Sequence, residues 1–192
     1  MQAFNKIAIN LETNAALNEL NDNAHLFGEF SARKKSGPIH AEMDDIWLRY
    51  GDIREMEKTG DYSKIAEEHD SIWLQDLPEC RKLCFDVMNL VEGERLGGVL
   101  ITRLPSGGKI LPHSDLYGWH ASYYSKVFIP ILNRKGAIFG FDDGIIEPEI
   151  GEAYMFDNSK NHWVVNGSNE DRIAMVVCLK QSKYHENGVI RD

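Results

Sequence analysis

The C-terminal half of the chain contains the segments that decide the fold: TRLPSGGKILPHSD (102–115), SKVFIPIL (125–132) and GEAYMFDNSKNHWVVN (151–166). Each segment joins a short run of aliphatic, β-branched or aromatic residues to a break rich in Gly, Pro, Asn, Asp or Ser. Runs of this kind predict strands, and the breaks predict tight turns between them. This half is therefore predicted to be a succession of short strands.

Six strands are predicted in this half, and no helical pattern separates one from the next. Strands that follow one another without helices favour an antiparallel sandwich or small barrel over a sheet of βαβ units. The predicted strands are VLITRL (99–104), KVFIPIL (126–132), AIFGF (137–141), EAYMF (152–156), HWVVN (162–166) and RIAMVVCL (172–179).

The N-terminal half is mixed, and its strongest pattern is a helix over 77–92. Apolar residues recur there every three or four positions, which predicts one buried helix face. Pro78 suits the first turn, and Gly93 and the Gly97-Gly98 pair are predicted to end the helix. Weaker patterns predict a helix at 13–22, a strand at 45–50 and a helix beginning within 63–70. The apolar stripe consists of Leu77, Cys80, Cys84, Val87 and Val91.

These elements predict one domain over 1–192, of the α+β class and mainly β. Its core would be a jelly roll of the cupin-like kind over 96–182. Helices and short strands of 1–95 would form a helical buttress beside it and flank its pocket.

Composition excludes several classes of protein. The 192 residues carry 30 Asp and Glu against 21 Lys and Arg, a net charge of −9. This balance disfavours nucleic-acid binding and a polybasic membrane anchor, and no apolar run is long enough to span a bilayer. The three cysteines form no CxxC pair, and the N-terminus lacks a secretory pattern. We therefore expect structural thiols and a cytoplasmic location.

Two His-x-acid motifs are present among seven histidines, His40-Ala41-Glu42 and His113-Ser114-Asp115, and about one is expected by chance. Context favours the second, because His113 and Asp115 lie at a strand edge, where alternate side chains share a face. His162 begins a later strand and is the best third ligand. Two imidazoles and a carboxylate suit non-haem Fe(II). The alternative is a surface Asp, a turn His and a core His.

Arg172 opens the last long strand, ten residues after His162, and could return beside it in an antiparallel sheet. A buried Arg needs an anion, and its planar fork matches a carboxylate. The alternative is an Arg at the strand edge, paired with Glu170 or Asp171.

Taken together, 102–115, 125–132, 151–166 and Arg172 resemble the aspartyl/asparaginyl β-hydroxylase family over about 98–180. The resemblance implies a double-stranded β-helix that uses Fe(II), 2-oxoglutarate as co-substrate and dioxygen. It implies that His113, Asp115 and His162 are the metal ligands.

The same resemblance assigns the co-substrate site. Arg172 matches the Arg that binds the distal carboxylate of 2-oxoglutarate, and Thr102 stands where the family has a hydroxyl residue assisting that Arg. Lys126 replaces a family Arg that reaches the other end of the co-substrate, and Phe128 replaces a family His. At the keto-acid end, a point charge therefore replaces a bidentate fork.

The implied function is hydroxylation of an unactivated C–H bond of an amino acid, free or within a peptide or protein (an Asp, Asn or Pro type of side chain). Succinate and CO2 would be released. The aromatic segment 116–124 could form a lip over the pocket or plug the barrel end. Two alternatives stay open: a cupin-like metal enzyme that does not use 2-oxoglutarate, and a catalytically silent binding module. The sequence does not indicate the oligomeric state.

Overall fold

The computed structural model describes residues 3–35, 37–61, 72–115 and 125–181, and the short pairs 185–186 and 189–190. The predicted helix start at 63–70 and the aromatic segment 116–124 lie outside the described residues. The helices are α1 (Asn14–Asp22), α2 (Ala32–Lys35), α3 (Ile53–Thr59) and α4 (Pro78–Leu90), with short 3-10 helices at Ala24–Leu26 and Pro38–His40. The strands are β1 (Phe4–Ala8), β2 (Asp44–Tyr50), β3 (Ile72–Trp73), β4 (Gly93–Leu104), β5 (Lys109–His113), β6 (Ser125–Leu132), β7 (Ala137–Phe141), β8 (Gly144–Ile146), β9 (Ala153–Phe156), β10 (His162–Asn166), β11 (Arg172–Gln181), β12 (His185–Glu186) and β13 (Val189–Ile190).

Two antiparallel sheets form the body of the protein. The larger has the order β1-β9-β6-β11-β4-β2-β3, and the smaller has the order β5-β10-β7-β8, while β12 and β13 form a separate ribbon. A mainly aromatic core joins the two sheets, since Phe128, Tyr154 and Phe156 of the larger sheet pack with Phe139 and Phe141 of the smaller. The predicted jelly roll is confirmed by this arrangement of two facing sheets.

Alternation along β11 decides which side chains enter the space between the sheets. Ile173, Met175 and Val177 belong to the core on the helical side of the large sheet. Their neighbours Arg172 and Ala174 point the other way, toward the small sheet, because successive side chains in a strand face opposite sides. This alternation carries Arg172 into the interior.

The helical side of the large sheet is covered by α1 and α4. The predicted stripe of α4 is confirmed: Leu77, Cys80, Cys84 and Val87 are fully buried and Val91 is 8% exposed. A carboxylate from α1 stabilises the start of this helix, since Glu19 accepts hydrogen bonds from the backbone N–H groups of Glu79 and Cys80. Free N–H groups at a helix start need such acceptors.

The N-terminal residues also supply strands to the large sheet. β2, predicted at 45–50, pairs with β4, and β1 pairs with β9 at the opposite edge. The sequence did not predict β1, because FNKIA (4–8) lacks a clear alternation of apolar and polar residues. The Gly97-Gly98 pair was predicted to end a helix but lies within β4, which begins at Gly93. Within the described parts of the chain, no helix is long and apolar enough to cross a membrane.

Removing a side chain from this core tests the packing. Ile101, at the centre of β4, is fully buried in the cluster under the helices. Ile101→Ala is expected to lower the free energy of unfolding by about 2–5 kcal/mol, because it removes buried carbon and leaves a cavity. Leu111→Ala, at a site 40% exposed, is the control and should change it by less than about 1 kcal/mol. Urea titration of both variants makes the comparison, and equal losses would contradict this assignment of the core.

Candidate metal centre and adjoining pocket

Two strands of the small sheet bring the three predicted ligands together. His113 ends β5, His162 begins β10, and the two residues are direct partners in the antiparallel pair. Asp115 follows His113 by two residues. One possible ligand atom from each of His113, Asp115 and His162 lies within 4.8 Å of the others. This is a spacing that a single ion can bridge.

Backbone carbonyls orient both imidazoles. Nδ1 of His113 lies 2.8 Å from the carbonyl oxygen of Leu111, and Nδ1 of His162 lies 2.9 Å from that of Lys160. A carbonyl only accepts hydrogen bonds, so each Nδ1 carries the proton and each Nε2 presents a lone pair. Burial lowers the pKa of both histidines. The rings are therefore held neutral, as metal ligation requires.

Asn158 positions the backbone of Asp115, and Lys126 keeps its carboxylate ionised. Its backbone N–H donates to the carbonyl of Asn158 (2.8 Å), and one carboxylate oxygen forms an ion pair with Lys126. Burial acts to raise the pKa of Asp115, but the charge and hydrogen bond of Lys126 outweigh it and lower the pKa to about 2. Nothing in the sequence had singled out Asn158, which lies in the turn before His162.

Aromatic side chains surround His162 on the inner side. The centroid of its ring lies 5.5 Å from that of Phe156, 6.0 Å from that of Phe139 and 6.3 Å from that of Phe141. An apolar shell of this kind limits water access and lowers the local dielectric. Charges at the centre therefore interact more strongly than they would in water.

Arg172 lies in the same pocket as a buried cation. The residue is 2% exposed, and its Nε and Nη2 have no hydrogen-bond partner among the described residues. Burial lowers the pKa of Arg172 to about 10, so the guanidinium stays charged at neutral pH. The alternative of a strand-edge ion pair is wrong for Glu170, which pairs with Arg134 on the surface at 3.0 Å.

Phe128 supports this cation. The guanidinium carbon of Arg172 lies 4.8 Å from the centroid of the Phe128 ring, a cation–π contact. The resemblance had marked Phe128 only as a departure from a family His. In the structure its ring packs against the guanidinium of Arg172.

Thr102 and Lys126 line the pocket with Arg172 but have protein partners of their own. The Thr102 hydroxyl donates to Asp45 at 2.9 Å, and Lys126 is paired with Asp115. These contacts do not include Arg172, so the assistance of Thr102 to Arg172 and the reach of Lys126 toward the co-substrate stay predictions. Both residues remain within the pocket where the co-substrate would lie.

Sequence reasoning predicted that 1–95 flanks this pocket, but it did not identify the residues that line it. Arg33, on α2, and His40 both line it. Nη1 of Arg33 lies 3.2 Å from each carboxylate oxygen of Asp45, and the rings of His40 and His113 pack edge to face at 4.9 Å. The only available signal was the His40-Ala41-Glu42 motif, and its acid is used elsewhere, because Glu42 accepts from the backbone N–H of Lys109.

The residues fit a mononuclear iron and a dicarboxylate co-substrate. Two neutral imidazole nitrogens and one ionised carboxylate form the donor set of a facial Fe(II) site with open positions. In the same pocket, the guanidinium of Arg172 is buried, and two of its nitrogen atoms have no partner in the described part of the chain. A carboxylate is the group that matches such donors. The two requirements of the predicted chemistry are therefore met within one cavity.

Comparison with known proteins agrees with this assignment. The sequence profile of the aspartyl/asparaginyl β-hydroxylase family matches residues 10–181. A search of curated proteins finds no match.

Solved structures share the fold at low sequence identity. A prolyl hydroxylase from Trichoplax adhaerens, in complex with a peptide fragment of the hypoxia inducible factor oxygen degradation domain, has a TM-score of 0.59 at 11% identity, covering 93% of this chain and 84% of that one. A Pseudomonas putida prolyl-4-hydroxylase has a TM-score of 0.55 at 11% identity, covering 95% and 94%. A viral collagen prolyl hydroxylase from Paramecium Bursaria Chlorella virus-1, in a 2-oxoglutarate complex, has a TM-score of 0.50 at 12% identity, covering 95% and 97%. These likenesses identify the double-stranded β-helix.

Proposed function

Because this chain belongs to the aspartyl/asparaginyl β-hydroxylase family, we propose that it hydroxylates an unactivated C–H bond of an amino acid, free or within a peptide, and releases succinate and CO2. The enzyme class is that of the 2-oxoglutarate-dependent dioxygenases, with Fe(II) as the metal. The observation that carries the proposal is the meeting of His113, Asp115 and His162 in one pocket with Arg172, whose Nε and Nη2 have no hydrogen-bond partner among the described residues.

We assign the metal to the Nε2 atoms of His113 and His162 and to the Asp115 carboxylate. When bound, iron with 2-oxoglutarate and dioxygen supplies the oxidation that breaks the substrate C–H bond. The protein contributes position and charge. Leu111 and Lys160 fix the two imidazoles through their carbonyls, and Asn158 fixes Asp115.

The co-substrate is assigned to the pocket beyond the metal. Arg172 would bind the distal carboxylate of 2-oxoglutarate, with Phe128 holding its orientation. Thr102 lies on the neighbouring strand and lines the same pocket, with its hydroxyl bonded to Asp45. Lys126, beside Asp115, supplies a positive charge near the keto-acid end.

Binding of the co-substrate provides the test of function. Titrating 2-oxoglutarate into the Fe(II) protein under anaerobic conditions is expected to produce a visible charge-transfer band that saturates at one equivalent. The physical reason is chelation of iron by the keto acid, which leaves the distal carboxylate for Arg172. Succinate, which lacks the α-keto group, is the control and should give no band. A cupin-like enzyme that does not use 2-oxoglutarate would bind iron without the band, and that result would contradict the proposal.

The thiols are consistent with a cytoplasmic location, which is part of the proposal. Cys80, Cys84 and Cys178 are free and buried. Burial raises the pKa of Cys84 to about 12, which keeps the thiol protonated and unreactive. Free, buried thiols support the proposed reducing compartment.

A further inference from the structure

Asp115 differs from the two histidines of the metal centre because its side chain offers two oxygens to an ion. Its Oδ1 lies 3.9 Å from Nε2 of His113, and its Oδ2 lies 4.0 Å from Nε2 of His162. Each oxygen thus faces one imidazole, and an ion between the rings could be bound by one oxygen or by both. The difference matters, because a second carboxylate oxygen would fill a position that the co-substrate and dioxygen need.

The two oxygens of Asp115 have different surroundings. Oδ2 forms an ion pair with Nζ of Lys126 and lies 3.5 Å from Nδ2 of Asn158, at the limit of a hydrogen bond. No hydrogen-bond donor of the described residues reaches Oδ1. Oδ1 is therefore the oxygen whose lone pairs stay open to a metal.

Strand alternation places Lys126 against Asp115. Phe128, two residues further along β6, turns its ring inward to Arg172, and alternate side chains of a strand share a face. Lys126 therefore also points into the space between the sheets, where it lines the pocket. Its side chain is only 16% exposed, so its ion pair with Asp115 is screened less by water than a surface pair would be.

The chemistry of an ammonium group suits this contact. An ammonium is a compact point charge that bonds to one oxygen, whereas the planar fork of an arginine matches both oxygens of a carboxylate. The resemblance had marked Lys126 as a replacement of a family Arg. Beside Asp115, this replacement occupies Oδ2 and leaves Oδ1 open.

We propose that Lys126 is a positioning residue that restricts Asp115 to binding the metal through Oδ1 alone, with Asn158 assisting at Oδ2. This inference rests on the proposed function, because the effect is to keep coordination positions open for 2-oxoglutarate and dioxygen. It adds to the role already proposed for Lys126. An ammonium has three donors, so Lys126 can hold Oδ2 and also contact the keto-acid end.

Crystal structures of the Mn(II) protein, grown without oxygen so that no turnover occurs, test the proposal. In wild type, Oδ1 of Asp115 should bind Mn(II), and Oδ2 should stay on Lys126. In Lys126→Met, which keeps most of the side chain but removes the ammonium, both oxygens should bind Mn(II). Water-proton relaxation gives a second readout in solution, since the variant should have one exchangeable water fewer on the metal.

Lys82→Met is the matched control for these measurements. Lys82 also pairs with a carboxylate, that of Asp86, but this pair lies on the surface of α4, and the Lys82 side chain is 64% exposed. Lys82→Met should therefore keep the wild-type water count on Mn(II).

Binding affinities separate positioning from a purely structural role. By calorimetry, Lys126→Met should bind Mn(II) roughly tenfold or more tightly than wild type, because a like charge beside the ion is removed and a second oxygen is gained. 2-Oxoglutarate should bind the Mn(II) form of the variant roughly tenfold less tightly, because it must displace that oxygen and loses a charged hydrogen bond. A structural role alone would weaken both.

The wild-type crystal structure decides the proposal even if Lys126→Met does not fold, since Mn(II) bound by both oxygens of wild-type Asp115 would overturn it. Binding through Oδ1 alone in Lys126→Met, or weaker Mn(II) binding by that variant, would also overturn it. Affinity of the wild-type Mn(II) protein for 2-oxoglutarate separates this inference from the proposed function. Normal 2-oxoglutarate binding with both Asp115 oxygens on the metal removes the Lys126 assignment alone, whereas failure of 2-oxoglutarate to bind removes the proposed function.

Discussion

His162→Ala is expected to reduce 2-oxoglutarate turnover roughly 10³-fold or more. His162 supplies one of three ligand atoms, and Phe139, Phe141 and Phe156 surround its ring. Loss of the imidazole would leave His113 and Asp115 to hold the ion alone. A bound metal contributes several kcal/mol to such reactions, and each 1.4 kcal/mol corresponds to a factor of ten in rate. Succinate formation at saturating Fe(II) and 2-oxoglutarate is the measurement.

A matched histidine controls for the substitution itself. His25 is exposed, on the short helix Ala24–Leu26, and His25→Ala should keep wild-type turnover. Metal binding provides the second readout: calorimetry with Mn(II) should show one site in wild type and in His25→Ala, and a greatly weakened site in His162→Ala. Full turnover by His162→Ala would show that the assigned ligand set is wrong.

The sequence predicted the parts of the site that depend on local pattern. His113 and Asp115 share a face because they are two residues apart at a strand end, and the strand that begins at His162 has a clear period of two. Arg172 faces inward for the same reason. Strand alternation made these residues candidates, and the resemblance to the family selected them over the alternatives; the structure brings them together in one cavity.

The remaining contacts depend on pairings between distant parts of the chain, which no local pattern encodes. Arg33 lies on a helix of four residues, too short for any periodicity, and its partner Asp45 is twelve positions away. The position of Tyr50 depends on a bulge in β2 that appears only when that strand pairs with β4. The sequence marked Phe128 only as a replacement of a family His. Its contact with Arg172 joins two different strands, β6 and β11, and so has no local signal.

Arg172→Met is expected to raise the KM for 2-oxoglutarate about 100-fold or more. Removing one member of a buried, hydrogen-bonded charge pair costs about 2–5 kcal/mol, because the other charge is left without a partner. Arg172→Lys keeps the charge but loses the planar fork, and should lie between wild type and Arg172→Met. Arg134→Met is the control: Arg134 pairs with Glu170 at the surface, so the KM should not change. Initial rates of succinate formation against 2-oxoglutarate concentration give these values.

Arg172→Met is expected to raise the free energy of unfolding, so unfolding of the variant would not explain its higher KM. Without ligand, Arg172 is a buried cation whose Nε and Nη2 lack partners among the described residues, and Phe128 offsets only part of its desolvation. A hydrophobic side chain in its place is expected to raise the free energy of unfolding by on the order of 1 kcal/mol. A ligand at 100 times its Kd adds about 2.7 kcal/mol to a protein that binds it, so 2-oxoglutarate should stabilise wild type and leave Arg172→Met almost unchanged. Equal stabilisation of both by 2-oxoglutarate would contradict the assignment of Arg172, since the co-substrate would then be held by other groups.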